Sequence, residues 1–228
     1  MKTDVPIPFR PENMRRTLHD LKSPFSVIKV NLHLLLKGHC GELSDKAQKA
    51  IERIDTKCRQ GLALLADVSQ MAYLQPEEKT SLNVPEILKD CIERIQPAAC
   101  ARNIKIETDL QPVTAQVAQE HLKLIFDQIL ANAIHYSNES GRVLVRCGPN
   151  SDGPQVVIRD EGIGIPADQK PRIFEEYFRT MEAARHHKEG TGLGLAIVRQ
   201  AATMANVRVE LSSQTGEGTT VKLTLPPA

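Results

Sequence analysis

His19 and Asp20 stand side by side, a neutral imidazole nucleophile next to a carboxylate that can take the proton released when a ring nitrogen attacks phosphorus. Ser23 and Pro24 follow within about one helical turn. The serine keeps a hydroxyl close to the histidine, and the proline removes an N–H and bends any helix that contains it. Farther along, Gln128 and Asn132 are four apart and so share one helix face. An amide oxygen there can ligate Mg2+, a hard cation that bridges phosphates. His135 and Tyr136 come just after. The run Asp160-Glu161-Gly162-Ile163-Gly164-Ile165 joins a carboxylate, able to accept a hydrogen bond from an adenine amino group, to glycines that let the backbone approach a ring. In Gly190-Thr191-Gly192-Leu193-Gly194-Leu195, alternating glycines precede a helix whose free N–H groups and dipole suit phosphate. There is no G-x-x-x-x-G-K-[ST] run, which excludes a P-loop, and the Asp160 run lacks the third glycine of a dinucleotide fingerprint.

These residues need elements to position them. From Met14 the apolar residues Leu18, Leu21, Phe25, Ile28, Leu32 and Leu35 recur at alternating gaps of four and three, the seam of a bundled helix. His19 lies one step off that seam, on the exposed flank. Gly38 and Gly41 break the pattern, and Ser44 before Asp45 is a fitting N-cap for a second helix with seam Ala47, Ile51, Ile54, Cys58, Leu62, Leu65 and Val68. A lone hairpin cannot bury both seams, whereas two copies can as a four-helix bundle, so a homodimer is expected. Residues 13–75 thus read as the hairpin, after a tail or linker over 1–12, and residues 76–82 around Pro76 read as a second linker. Residues 83–228 then mix helices at Val84–Cys100, Gln119–Tyr136 and Gly192–Ala205 with strands near Ile104, at Arg142–Cys147, Gln155–Arg159, Val207–Ser213 and Thr219–Leu225. That mixture predicts an α+β sandwich with helices on one face of a mixed sheet.

Composition removes several function classes. Net charge is +1 and aromatics are 4%, so neither a basic field nor stacking surfaces point to nucleic acid. No apolar run reaches the ~18 residues that cross a bilayer, and the proline-broken start, with Pro6, Pro8 and Pro11, is no signal peptide. Five cysteines without a C-x-x-C pair suit reduced thiols in a cytoplasmic chain.

Order and spacing of these motifs together resemble the two-component sensor histidine kinases, over nearly the whole chain from Met14. His19 to Pro24 resembles the phosphoacceptor box, with Ser23 where phosphatase-active members often carry Thr or Asn. Asn132 matches the Mg2+-binding asparagine; Gln128, where a first asparagine is usual, is the weaker metal candidate, and His135 replaces a common lysine. Asp160, Gly162 and Gly164, with Ile165 beside them, match the adenine-binding box. Arg179, closing the stretch from Ile173, resembles the arginine expected to reach the γ-phosphate. Gly190, Thr191, Gly192, Leu193 and Gly194 match the hinge of an ATP lid, within which Arg185, His186, His187 and Lys188 add positive charge, and Thr219 matches a threonine of the adenine pocket.

The resemblance implies a dimeric hairpin carrying the histidine and an ATP-binding sandwich of the Bergerat type. It also implies ATP and Mg2+ as ligands, autophosphorylation on His19, and onward transfer to an aspartate of a response-regulator receiver domain. Dephosphorylation of that partner would fall to Ser23. The input would come from a sensory domain or protein outside this sequence. Two rivals remain at this point: a phosphotransfer adaptor whose ATP domain no longer binds nucleotide, and a Bergerat-fold ATPase that uses ATP for conformational work.

Overall fold

The computed structural model describes residues 11–228, the side chains of residues 11–16 and of His19 excepted. Most of the expected tail, the seam side chain of Met14 and the imidazole of His19 therefore lie outside the described residues. The chain divides into two units, changing over between Tyr73 and Leu74, with Glu189–Thr191 grouped in the first.

The first unit is a helical hairpin, α1 (Pro11–Leu36) and α2 (Asp45–Tyr73). Helix α1 continues through Pro24 and carries His19 in its backbone. Positive φ angles at Gly38 (+77°) and Gly41 (+97°) turn the chain. The Ser44 hydroxyl accepts the Ala47 N–H at 3.4 Å, in the capping role expected of it. Leu18, Leu32 and Cys58 are buried, and the Cys58 thiol donates to the Phe25 carbonyl of α1 at 3.3 Å. Gly61 is bare because the Phe25 ring lies over it; a Cβ there would sit 2.8 Å from Phe25 Cε1. The seam is only partly covered, since Leu21, Ile28 and Ile54 stay 46%, 44% and 52% exposed.

The second unit is built on a five-stranded mixed sheet. Its strands are β2 (Lys105–Leu110), β4 (Arg142–Gly148), β5 (Gln155–Asp160), β6 (Arg208–Gln214) and β7 (Gly218–Thr224), in the spatial order β2-β4-β5-β7-β6. Only β2 and β4 run parallel; the other neighbours are antiparallel. Strands β4 and β5 alternate strictly, with Val143, Val145, Cys147, Val156 and Ile158 turned into the core and Arg142, Arg146 and Arg159 outward. Helices α3 (Val84–Ala101), α4 (Gln119–Tyr136) and α6 (Gly194–Ala205) cover the apolar face. Pro85 sits in the first turn of α3, where its missing N–H costs nothing. Helix α6 ends on Asn206 in the left-handed conformation, whose N–H caps the Ala202 carbonyl. No helix of the described residues is long and apolar enough to cross a membrane.

Two short strands were absent from the sequence reading. β1 (Thr80–Asn83) and β3 (Thr114–Val117) pair antiparallel as a separate sheet. The stretch expected as linker up to residue 82 is therefore ordered strand from Thr80. The helix expected from Gly192 begins two residues later, at Gly194, because Gly192 adopts φ +79°. The segment from Asp160 to Gly190 holds a 3-10 turn (Lys170–Arg172) and a short helix, α5 (Met181–His186).

Phe126 is wholly buried at the centre of the second unit, on the core face of α4 with Leu122, Ile125, Ile129 and Leu130. Phe126→Ala is expected to lower unfolding stability by about 3–5 kcal/mol, from lost transfer energy plus the cavity left behind; urea unfolding followed by circular dichroism measures it.

Candidate functional site

Helix α4 is two-faced. One face fills the core, while Gln128, Asn132 and His135, at i, i+4 and i+7, follow a different stripe. Across from that stripe begins α6, at Gly194. A Cβ on Gly194 would meet Gln128 Oε1 at 2.7 Å and the Asn132 amide at 3.7–3.8 Å. Glycine is thus what allows the first turn of α6, with Leu193 fully buried just before it, to approach both amides. The arrangement sets two amide side chains beside a helix N-terminus, a combination suited to an anion and its counter-cation. Among the described residues there is no cluster of three or more His, Cys, Asp or Glu able to hold a metal unaided. A metal there would be held by the Asn132 and Gln128 amides together with ligand oxygens and water.

Asp160 ends strand β5, 7% exposed. Its Oδ1 accepts the Thr219 N–H at 3.1 Å, and the Gly162 N–H also serves the carboxylate. Burial nevertheless pushes the Asp160 carboxyl up to about 6, with the backbone N–H groups of Thr219 and Gly162 working against that rise. Glycines at 162 and 218 let the backbone close in around it, and Gly164 packs the adjoining loop tightly against Gln214. A Cβ on Gly162 would lie 2.2 Å from the Tyr136 carbonyl oxygen, one on Gly164 1.9 Å from that of Gln214, and one on Gly218 2.0 Å from that of Asp160 itself. Gly164 and Gly218 also hold φ of +66° and +94°, which a side chain would oppose. The site is therefore a buried carboxylate in a cradle of bare backbone, and this suits a flat ring with an exocyclic amino group.

Ser213, a residue the sequence reading missed, ties the cradle together. Its hydroxyl accepts the Ile165 N–H at 2.9 Å, donates to the Gly218 carbonyl at 2.8 Å and lies 2.9 Å from the Thr219 hydroxyl. It is placed there by the β6–β7 register, which sets Ser213 opposite Thr219. Nothing local in the sequence distinguishes it from its neighbour Ser212.

Arg102, at the C-cap of α3, is a second omission. Its guanidinium donates to the carbonyls of Ile134, His135 (2.7 Å) and Ser137 (2.9 Å), all at the C-terminal end of α4. Those carbonyls have no helical partner, so a planar cation with several donors satisfies them and favours the negative end of the dipole. His135 stacks on His187, with ring centroids 4.1 Å apart and planes 11° from parallel. Burial, then His187, then Arg102 push the His135 imidazole down to about 4. Tyr136 presents its ring edge-on to His187 at 6.2 Å.

Arg179 donates to the carbonyls of Ala183 (2.9 Å) and His187, so it holds the backbone of the α5 segment together. The resemblance directs this arginine to a γ-phosphate; here it is turned to main chain. Nearby, the Arg172 guanidinium lies 4.3 Å over the Phe178 ring. Gly190 and Thr191 fall in the other unit of the division and are not among the residues gathered here. In the hairpin, Asp20 and Ser23 are exposed on α1.

Residues 117–228 match the family described as histidine kinase-, DNA gyrase B-, and HSP90-like ATPase. The sensor histidine kinase YkoH of Bacillus subtilis is 28% identical over 207 residues, 90% of this chain and 45% of YkoH. The phosphate regulon sensor protein PhoR of Pseudomonas aeruginosa is 27% identical over 215 residues, 92% of this chain and 48% of PhoR. The chain spans about half the length of these relatives. Among solved structures, the mycobacterial sensor histidine kinase MprB superposes with a TM-score of 0.57 at 27% identity, over 66% of this chain and 99% of that one. Full-length ShkA, solved with AMPPNP, shares the fold at a TM-score of 0.66 and 21% identity, over 96% of this chain and 47% of that one.

The raised carboxyl of Asp160 has a consequence for stability. With its folded value near 6 against 3.8 for an ordinary Asp, this group contributes stability that is fully present below about pH 4 and is lost as pH rises through about 6. Asp160→Asn is expected to remove that slope and to leave the fold more stable at pH 7 by on the order of 2–3 kcal/mol. Denaturant midpoints of both proteins between pH 4 and 7.5 check it.

Proposed function

We propose, on the match of residues 117–228 to the histidine kinase-, DNA gyrase B-, and HSP90-like ATPases and on the likeness to sensor histidine kinases, that this chain is the catalytic core of a two-component histidine kinase, which phosphorylates His19 from ATP and passes the phosphoryl group to an aspartate of a receiver domain. The observation that carries this reading is the buried Asp160 in its glycine cradle. A carboxylate so enclosed is suited to accept a hydrogen bond from an adenine amino group, and Thr219 and Ile165 border the same cradle.

Polyphosphate would lie toward Gln128, Asn132 and the start of α6 at Gly192, Leu193 and Gly194. Mg2+, held by Asn132 and more weakly by Gln128, would supply charge neutralisation of the phosphates. In the reaction a ring nitrogen of His19 forms a bond to the γ-phosphorus, the bond to the β-γ bridging oxygen breaks, and ADP leaves. Asp20 takes the imidazole proton or orients the ring. Transfer is mainly a matter of positioning and charge stabilisation. The N–P bond so formed is labile enough to drive transfer onward to a carboxylate. Ser23, a turn from His19, is the residue proposed to position water for the reverse, phosphatase reaction.

Two copies pairing through the hairpin would cover Leu21, Ile28 and Ile54, seam residues that one hairpin leaves exposed. The setting proposed is the cytoplasm, which supplies ATP and keeps free thiols such as the exposed Cys40 and Cys100 reduced. A sensory domain or protein outside the chain would deliver the signal.

Incubation with γ-labelled ATP and Mg2+, wild type beside His19→Gln, tests the reading. Acid-labile, alkali-stable label on the wild type alone is expected. ATP binding without label on either protein would favour a Bergerat-fold ATPase, and neither label nor binding would favour a phosphotransfer adaptor.

A further inference from the structure

We propose that His121 is a positioning residue for the phosphorylation reaction: it fastens the main chain just after α2 to the first turn of α4, makes residues 74–79 a strap rather than a loose tether, and so sets the rate at which bound nucleotide is used on the hairpin. The proposal rests on the kinase reading above and adds to it a residue about three helical turns before Asn132 on α4.

His121 is only 2% exposed, beside Leu122 and Ile125 in the core. Its Nε2 lies 2.8 Å from the Gln75 carbonyl oxygen. A carbonyl oxygen can only accept, so Nε2 carries the proton and donates. The other ring nitrogen, Nδ1, is buried and has no hydrogen-bond partner among the described residues. A polar atom left in that condition costs stability, and a leucine would fill the position without that cost. Gln75 is itself exposed, so water could serve its carbonyl if the histidine were absent. The core therefore requires this bond at neither end. What the bond does is hold the chain at residue 75.

The hold comes at the point where slack would matter most. Helix α2 ends at Tyr73, and the second unit begins at Leu74, which packs partly buried against that unit's core. Gln75 follows, tied to α4 by His121. Pro76, Glu77 and Glu78 are exposed. The chain is fastened again at Lys79, whose carbonyl accepts from Gln116 Nε2 at 2.9 Å, and from Thr80 it pairs with β3. Strand β3 is anchored in turn, since the Gln116 N–H donates to the Pro226 carbonyl at 3.1 Å. The stretch expected from sequence as a linker over 76–82 is thus held at both of its ends, and the freedom to pivot falls at the junction of Tyr73 with Leu74.

The consequence is kinetic. Transfer from nucleotide to His19 is a reaction between groups joined by a tether, whose effective concentration falls roughly as the −3/2 power of tether length once the tether exceeds the span it must bridge. Releasing Gln75 lets the chain up to Lys79 join the tether, about 14 Å of added reach for four residues fully extended. His121 takes no part in the bonds that change: the γ-phosphorus still passes to a ring nitrogen of His19, and ADP still leaves. Only the frequency of productive encounters alters, while nucleotide affinity does not.

The test compares wild type, His121→Leu and His121→Gln as full chains, labelled from γ-labelled ATP and Mg2+ over a series of ATP concentrations. His121→Leu is expected to be labelled at least about threefold more slowly at saturating ATP, with the half-saturating ATP concentration and the Kd for a non-hydrolysable ATP analogue unchanged. His121→Gln, whose amide nitrogen can donate to the same carbonyl, is expected to restore most of the rate. A glutamate-specific protease reads the strap independently of catalysis: cutting after Glu77 and Glu78 is expected to be about threefold faster or more in His121→Leu than in wild type. Equal labelling rates for wild type and His121→Leu, a loss of ATP affinity accompanying the loss of rate, no rescue by glutamine, or equal cutting would each overturn the role given to His121 and leave the kinase reading in place. No label on wild type would overturn the kinase reading and the role of His121 together.

Discussion

The second unit is organised around one costly burial, the carboxylate of Asp160. An ionised carboxyl out of water must be met by donors, and here those donors are main-chain N–H groups of Thr219 and Gly162. Main chain can come that close only where side chains are missing, which favours glycine at 162 and 218. The strand that carries Asp160 must also be central enough to bury it, and β5 lies between β4 and β7. The placement of β5, the glycines at 162 and 218 and the start of β7 at Gly218 and Thr219 all meet at this carboxylate. The group is also less stable where it is than in water, as its raised pKa records. Such local cost, retained in a fold, is usual where a side chain serves a ligand rather than the core.

Helix α4 connects that carboxylate to the rest of the site. Its core face, with Phe126 and Leu130 wholly buried, is held rigidly by α3, α6 and the sheet. Its other stripe carries Gln128, Asn132 and His135 without adding to the core. Arg102 secures the C-terminal end of the helix by bonding carbonyls that the helix itself cannot pair. The cation therefore does two things at once: it completes the helix end, and it sets the electrostatic background for the histidines beside it.

The hairpin follows a different logic. Its partial burial, with Leu18, Leu32 and Cys58 covered and Leu21, Ile28 and Ile54 exposed, is what two amphipathic helices achieve when only their facing edges meet. Stability in such a unit comes from whatever covers the remaining apolar stripe. The core of the second unit, by contrast, is closed within its own chain.

Local physics made much of this legible in the sequence. Period-3.6 and period-2 patterns located α1 to α4 and α6 and strands β2, β4, β5, β6 and β7, because hydrophobic spacing records which face is buried. Glycines at 162, 164, 192, 194 and 218 were conspicuous because positive φ and close backbone approach have few other solutions. The short pair β1 and β3 left no such trace: four residues are too few to show a period, and each is a strand only because the other, about thirty positions away, supplies its hydrogen bonds. Ser213 and Arg102 were invisible for a related reason. A serine on a strand and an arginine after a helix are commonplace, and their roles come from partners brought near by the fold: Ile165, Gly218 and Thr219 for one, the end of α4 for the other. The stack of His135 on His187 belongs with them. Sequence by itself determined which segments could be helices and strands and which residues carried the amide, carboxylate and glycine chemistry expected of a nucleotide site, since both follow from spacing and residue type along the chain. Which polar groups would be buried, paired or shifted in charge was decided only by tertiary structure, because desolvation and hydrogen bonding depend on neighbours in space.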